Sequence, residues 1–400
     1  MQGRRTPLIH PQIFNNNEHA PRQQAHPEPP YGDRTESYMR TFFNVQDLGN
    51  LHDAIAEALE VKANKFAYQH LGRNKTLLMI FFNNSLRTRL STQKAAMNLG
   101  MNVMVLDVNA GAWKLETERG VIMDGDKSEH LLEAIPVMGS FCDIIGVRSF
   151  AGLQDREFDY AESIVNQFVQ YSGKPVFAME TATVHPLQAY ADLITIEEHK
   201  TTSRPKVVLT WAPHCRALPQ AVPNSFAEWM NAADVDFVVT HPEGYELDSK
   251  FVGNAKVEYD QRKALEGADF VYAKNWSCPG VTRPEDYGKI LCSDKSWTID
   301  SEHMSWTNNG KFMHCLPVRR GLIVTDDVIE SPMLSGEKGR RASGTIMTQK
   351  MQCAAKADAA HCVGLCSVLR SLMQRAASVA PLRREDHRRL VRFPSHTPSS

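Results

Sequence analysis

Apolar runs alternate with amphipathic segments from residue 76 to residue 316. The strand-like runs fall in two sets of four: Thr76–Phe82, Asn102–Leu106, Asp143–Val147 and Pro175–Met179, then Lys206–Trp211, Val235–Thr240, Asp269–Ala273 and Phe312–Leu316. Helix-period segments at 85–99, 129–139, 157–171, 185–199, 223–232 and 258–266 lie between them. Strand alternating with helix predicts an α/β fold with parallel sheets covered on both faces. The long helix 185–199, set between the two groups of strands, favours two doubly wound parallel-sheet domains over one barrel. The expected domains are 39–184 and 185–332, with the active site in the cleft beyond the carboxyl ends of the strands.

The ends read differently. Residues 1–38 are rich in Pro, Gln, Asn, His and Arg and are expected to be disordered, as is the basic tail 381–400. The folded part should begin near Met39, where Phe42, Val45, Leu48, Leu51, Ile55 and Leu59 recur at helical spacing. The segment 333–380 is expected to be partly helical, since Met347, Met351, Ala355, Cys362, Leu365, Leu369 and Leu372 share a loose face that Asp358 interrupts.

Charge is nearly balanced, 45 basic residues against 46 acidic, so no bulk field points to nucleic acid. No apolar run approaches a membrane span, and no signal-peptide core stands near the start. Eight cysteines are scattered without paired spacing, as expected of a cytoplasmic protein rather than a disulfide framework. His361, Cys362 and Cys366 have helical spacing but no second ligand pair, so no metal or cofactor is expected.

The densest chemistry is Phe81-Phe82-Asn83-Asn84-Ser85-Leu86-Arg87-Thr88-Arg89, a strand delivering the chain to a helix N-terminus. Such a terminus offers unpaired N–H groups and partial positive charge. Ser85 and Thr88 add hydroxyls, and Arg87 and Arg89 add guanidinium forks that match phosphate oxygens. This is a phosphate cradle without a glycine-rich P-loop, although a capped helix with a solvated basic first turn would read alike. Further polar residues follow the other strands: Arg148, Glu180 and His185 in the first set, then His214, Lys274, Cys315 and Arg319. Individually each has a plainer role. Arg148 suits a surface ion pair, His185-Pro186 a helix start, and Cys315 an ordinary buried thiol or a nucleophile awaiting a base. Six loops converging on one cleft is the stronger signal. Gln188, one turn beyond His185, should face the same way.

Ser85-Leu86-Arg87-Thr88-Arg89, His185-Pro186-Leu187-Gln188 and His314-Cys315-Leu316-Pro317 together resemble the signatures of the aspartate/ornithine carbamoyltransferase superfamily, from about Met39 to Pro332. Ala112-Trp113-Lys114-Leu115-Glu116, Val121-Ile122-Met123-Asp124-Gly125-Asp126 and Thr210-Trp211-Ala212-Pro213-His214 look like its N-acylornithine branch. The stretches 218–225 and Tyr272-Ala273-Lys274-Asn275-Trp276 are most similar to the N-succinylornithine enzymes. The resemblance implies carbamoyl transfer from carbamoyl phosphate to the δ-amine of N-succinylornithine in arginine biosynthesis, with N-acetylornithine as the alternative acceptor. It makes 39–184 the carbamoyl phosphate domain and 185–332 the acylornithine domain.

By the same resemblance Ser85, Leu86, Arg87, Thr88, Arg148, His185 and Gln188 bind carbamoyl phosphate, with Trp113 reaching in from a neighbouring subunit of a homotrimer. Arg87, His185 and Gln188 act on the carbamoyl group. Cys315 and Leu316 present backbone carbonyls to the attacking amine, so Cys315 is no nucleophile. Glu180, His214, Lys274 and Arg319 bind the acylated amino acid. Ser128 occupies the acyl-selecting position, where acetyl-type members carry Glu and succinyl-type members Pro. Serine lacks the charge that would repel a succinyl carboxylate.

The chain departs from the family after Ser331-Pro332. A Glu-Ala-x-x-Arg segment, whose arginine contacts carbamoyl phosphate, is replaced by Met333-Leu334-Ser335-Gly336-Glu337-Lys338-Gly339-Arg340-Arg341. Loss of such a charge-assisted contact costs about 1.5–3 kcal/mol. A catalytically impaired, trimer-forming relative is therefore the second hypothesis, and a thiol hydrolase built on Cys315 the third.

Overall fold

The computed structural model describes residues 41–108, 113–331 and 364–373. The extension 1–38, the tail 381–400, Arg340, Arg341 and most of 333–380 lie outside the described residues.

The first half runs β1 (Thr41–Phe42), α1 (Leu51–Ala63), β2 (Thr76–Phe81), α2 (Arg87–Asn98), β3 (Asn102–Asp107), β4 (Leu115–Glu116), β5 (Glu129–His130), α3 (Leu131–Ser140), β6 (Ile144–Arg148), α4 (Arg156–Tyr160), α5 (Ser163–Tyr171) and β7 (Val176–Ala178). Helix α6 (Pro186–His199) leads to β8 (Lys206–Trp211), α7 (Ala221–Ala232), β9 (Asp236–Thr240), β10 (Lys256–Val257), β11 (Phe270–Lys274) and β12 (Lys311–Met313).

Two five-stranded sheets result, in the orders β1-β7-β6-β2-β3 and β10-β9-β8-β11-β12, with parallel pairing throughout. In the first sheet β1 lies at the edge beside β7, and from β2 the chain goes out to β3 and returns to β6 on the other side; in the second it goes from β8 out to β9 and β10 and returns to β11. That reversal creates a switch point between β2 and β6 and another between β8 and β11. Adjacent connections diverge at such points and leave a crevice for a ligand. Register puts Phe81 opposite Arg148 at the first, and Trp211 opposite Lys274 at the second.

The strands form where the apolar runs predict them because both faces are covered: β2, β6, β8 and β11 are buried almost end to end. Helix α6 begins with Pro186 at its first turn, where the missing N–H costs nothing. It is apolar nearly all round, as befits a helix packed on several sides. Tyr190 on α6 donates to Ala54 O of α1 at 2.6 Å and lies 5.3 Å from the Trp229 ring of α7. Residues 364–373 are helical and add Leu365, Val368, Leu369 and Leu372, all fully buried, to the same core.

Three local expectations are revised. The helical spacing from Phe42 to Leu59 is split: β1 is followed by a short 3-10 turn at Val45–Leu48, capped by Asn44, before α1. The helix expected at 157–171 breaks at Glu162, whose φ is +50°, because its carboxylate is engaged by a distant turn. The run Phe312–Leu316 leaves the sheet after Met313, and Leu316 at φ +53° turns the chain while its N–H donates to His314 Nδ1 at 2.8 Å.

Candidate active site

The carboxyl ends of β2 and β6 carry the anion-binding chemistry. Ser85 Oγ accepts from the Thr88 N–H at 3.2 Å and so shapes the first turn of α2. Thr88 is buried, Arg87 and Ser85 are half-buried, and the Leu86 side chain points to solvent, which leaves its main chain as the part able to contact a ligand. Arg148 is buried at the end of β6. Its Nη1 donates to Thr88 Oγ1 at 3.4 Å, Met179 O at 3.2 Å and Glu180 Oε2 at 2.6 Å, while the guanidinium lies 4.4 Å from the Phe150 ring centroid. Arg89 does not join this group. It crosses the Phe81 ring at 4.4 Å to pair with Asp107, which stands beside Phe81 in the sheet register. One of the two expected guanidinium forks is thus spent on fastening α2 to β3.

After β7 the chain turns through Glu180, whose φ of +111° is a strained value for a residue with a side chain. His185 precedes α6, and its Nε2 lies 3.5 Å from Glu180 Oε2. Its N–H donates to Ser225 Oγ at 2.8 Å, bracing it from α7. Burial first, then the charges of Arg148 and Lys274, hold the His185 imidazole well below its usual pKa, so it is neutral at neutral pH. Gln188 Nε2 donates to Asp192 Oδ1 at 2.9 Å, which turns the amide oxygen away from the helix anchor.

The second sheet brings Lys274, buried at the end of β11, into electrostatic reach of His185, His214, His314 and Cys315. His214 follows β8, and its Nδ1 accepts from the Arg216 N–H at 3.0 Å. Burial lowers its pKa, and although the Arg216 carbonyl 2.9 Å from Nδ1 would favour the protonated ring, the charges of Lys274, Arg319 and Arg216 add to the lowering. Arg319 is exposed. Burial raises the Cys315 thiol, which therefore stays protonated and is a poor nucleophile.

The strand ends thus gather Arg87, Arg148, Glu180, His185, His214, Lys274, Cys315 and Arg319, with Gln188 entering through its position on α6. Trp113, just before β4, and Ser128, just before β5, belong instead to the excursion between β3 and α3. There Trp113 is 65% exposed and donates to Glu129 Oε2 at 2.9 Å, while the Ser128 N–H donates to Lys114 O at 2.9 Å.

His314, Ser225, Asp192 and Glu162 are not among the residues expected at the site. His314 is buried with Nδ1 accepting from Leu316, and its Nε2 has no hydrogen-bond partner among the described residues; burial and Lys274, Arg87 and His214 keep it neutral. Its place in the His-Cys-Leu-Pro motif was the available signal. Ser225 and Glu162 act through long-range contacts that no local pattern reveals, whereas Asp192 meets Gln188 at the i,i+4 spacing of α6. Among the described residues no group of three His, Cys, Asp or Glu side chains is placed to hold a metal ion, and no helix is long and apolar enough to cross a membrane.

Two parallel α/β sheets whose switch-point crevices carry Arg148 and Lys274 define a two-domain α/β protein with cationic crevices. Comparison gives the family. Residues 40–198 match the aspartate/ornithine carbamoyltransferase carbamoyl-P binding domain, and residues 219–335 match the Asp/Orn binding domain of that family. An N-succinylornithine carbamoyltransferase of Bacteroides thetaiotaomicron is 68% identical over 316 residues, 78% of this chain and 98% of that protein. An N-acetylornithine carbamoyltransferase of Xanthomonas axonopodis pv. citri is 36% identical over 313 residues, 74% of this chain and 90% of that one. Among solved structures, an acetylornithine transcarbamylase complexed with acetylcitrulline aligns with TM-score 0.70 and 32% identity, covering 82% of this chain and 98% of its own. A mutant N-acetyl-L-ornithine transcarbamylase with carbamyl phosphate and N-succinyl-L-norvaline gives TM-score 0.69 at 31% identity, with 82% and 99% coverage. The chain belongs to the aspartate/ornithine carbamoyltransferase family, in its N-acylornithine branch.

Proposed function

We propose that the protein transfers the carbamoyl group of carbamoyl phosphate to the δ-amine of N-succinyl-L-ornithine, giving N-succinyl-L-citrulline and phosphate in arginine biosynthesis. The observation that carries this is the pairing of the Ser85–Thr88 turn with buried Arg148 across one switch point, facing Lys274 and His214 from the other. Carbamoyl phosphate binds with its phosphate on the 85–88 turn, Arg87 and Arg148. Neutral His185 and the Gln188 amide hold the carbamoyl group, with Arg87 or Thr88 polarising its oxygen. The δ-amine adds to the carbamoyl carbon to give a tetrahedral intermediate; the carbon–oxygen bond to phosphate then breaks, its electron pair leaves with phosphate, and the proton lost from nitrogen is taken up by that departing phosphate. The backbone carbonyls of Cys315 and Leu316 accept from the amine. Orientation of this kind supplies about 7–11 kcal/mol, and fixed donors at the developing oxyanion add to it.

Glu180, His214, Lys274 and Arg319 bind the acylated amino acid, where cations suit both an α-carboxylate and a succinyl carboxylate. Ser128 places no like charge against the latter. The assembly is a homotrimer in which Trp113 and Ser128 complete a neighbour's site; this suits a Trp113 that is 65% exposed, an Ile122 that is 84% exposed, and the edge strand β3 with Met104, Val105 and Leu106 open. A cytoplasmic setting suits the free cysteines, six among the described residues.

Incubation of the purified chain with carbamoyl phosphate and, separately, N-succinyl-, N-acetyl- and free ornithine tests the assignment. Turnover is expected with N-succinylornithine above the other two. A folded chain inactive on all three would instead favour the impaired relative.

A further inference from the structure

The break at Glu162 between α4 and α5 has a purpose visible in its contacts. Its backbone adopts φ +50°, a left-handed conformation that glutamate rarely takes, and this carries the side chain to the turn after Glu180. Glu162 Oε1 accepts from Thr181 Oγ1, the Thr183 N–H and Thr183 Oγ1, each at 2.7 Å, and Oε2 accepts from the Ala182 N–H at 3.3 Å. One carboxylate thereby takes four donors from three consecutive residues. Burial pushes its pKa up while those donors pull it down.

The turn so gathered is flanked by two site residues, Glu180 on one side and His185 on the other. It is held from the second domain as well: Asn224 Nδ2 donates to Thr183 O at 3.1 Å, and Ser225 Oγ accepts from the His185 N–H at 2.8 Å. The α7 contacts fix the later part of the turn and His185. Glu162 is the side chain that gathers the Thr181 hydroxyl and the Ala182 N–H, next to strained Glu180. Without it the positive φ of Glu180 could relax, moving the carboxylate that Arg148 and His185 both approach.

We infer that Glu162 is a positioning residue for carbamoyl transfer, gathering the Thr181–Thr183 turn so that the Glu180 carboxylate is held beside His185 and Arg148. This rests on the site assignment above. Glu162 touches no substrate and acts through the turn.

Steady-state kinetics of Glu162→Ala, Glu162→Gln and Thr183→Val in the full chain test it, with melting followed by circular dichroism. A misplacement of about 1 Å can cost roughly a hundredfold, so Glu162→Ala should lower kcat at least about tenfold and raise KM for the acylornithine, which Glu180 binds, more than KM for carbamoyl phosphate. Glu162→Gln keeps Oε1 as acceptor for three of the donors and should recover most of the loss. Thr183→Val deletes one donor at constant shape and should fall between Ala and wild type, a comparison that stands even if Glu162→Ala does not fold. Folded Glu162→Ala with wild-type kcat, or Gln and Ala variants equally impaired, would overturn the inference. His185→Ala separates the two levels: if it too retains full kcat the site assignment fails, whereas loss there with an active Glu162→Ala refutes the role of Glu162 alone.

Discussion

The Arg148 guanidinium and the Glu180 carboxylate form a buried pair, Nη1 to Oε2 at 2.6 Å, with side chains 8% and 14% exposed. Removing one partner of such a pair leaves a charge uncompensated and costs about 3–5 kcal/mol. The charge left by Glu180→Ala is a cation in the proposed phosphate site. Apo Glu180→Ala should therefore melt well below wild type, and inorganic phosphate should raise its melting temperature by more than it raises that of wild type. Equal shifts in a thermal scan would separate Arg148 from the phosphate site.

Arg148→Lys keeps the charge but not the fork that reaches Thr88 and Glu180 together. Loss of one charge-assisted contact of about 1.5–3 kcal/mol lowers kcat/KM for carbamoyl phosphate by roughly ten- to a hundredfold. Steady-state rates with the acceptor saturating measure this directly. The matched substitution Arg89→Lys should change kcat/KM far less, because Arg89 is committed to Asp107 and the Phe81 ring.

That contrast between two nearby arginines shows where sequence was sufficient and where it was not. Strand ends were readable because apolar runs stop at the sheet rim, so Arg148, Lys274 and His214 could be assigned to one cleft without coordinates. Side-chain direction was not: Arg87 and Arg89 look alike in the chain, and only the register of β2 with β3 brings Asp107 beside Phe81 to capture Arg89. Glu162 lay inside an amphipathic pattern that suited one helix from 157 to 171, and a long-range contact to Thr183 overrode it. Asp358 and the arginines 340 and 341 belong to a stretch outside the described residues, yet Leu365, Leu369 and Leu372 do share a buried helical face as their spacing predicts.

Cys315→Ala should keep most activity. Burial raises the thiol, and Lys274, Asp192 and Tyr272 are its neighbours rather than an activating base. The proposed contribution is a backbone carbonyl, which alanine retains. A fall in kcat of less than about tenfold is expected, set against complete loss for a covalent nucleophile. Product formation by the variant over many turnovers decides between them.

Stability should decline toward alkaline pH through Asp192. Burial pushes its carboxyl up to about 8, while the unfolded chain titrates near its usual value of about 3.9. Between those values the folded state holds a proton that the unfolded state has released, so unfolding becomes easier as pH rises through the window and levels off above about 8. The substitution Asp192→Asn keeps Oδ1 as acceptor for Gln188 and removes the titration. The wild-type loss of melting temperature between about pH 6 and about pH 9 should shrink in Asp192→Asn. An unchanged difference between the two curves would show that Asp192 does not carry it.

The helix at 364–373 closes the core against α1, α2 and α6. Cys366 Sγ donates to Ala95 O at 3.4 Å, Arg370 stacks 3.9 Å from the Tyr68 ring centroid and pairs with Glu57 at 3.3 Å, and Gly364 packs so near Tyr190 that a Cβ would sit 3.0 Å from Cδ1. Leu369 is fully buried in this contact. Leu369→Ala removes buried methyl groups and leaves a cavity, at a cost of about 2–5 kcal/mol. The partners of this helix, Ala95, Tyr68, Glu57 and Tyr190, are not proposed site residues, so kcat per folded molecule should stay near wild type while the urea midpoint falls. A midpoint within error of wild type would mean that the segment contributes nothing to the fold it is packed against.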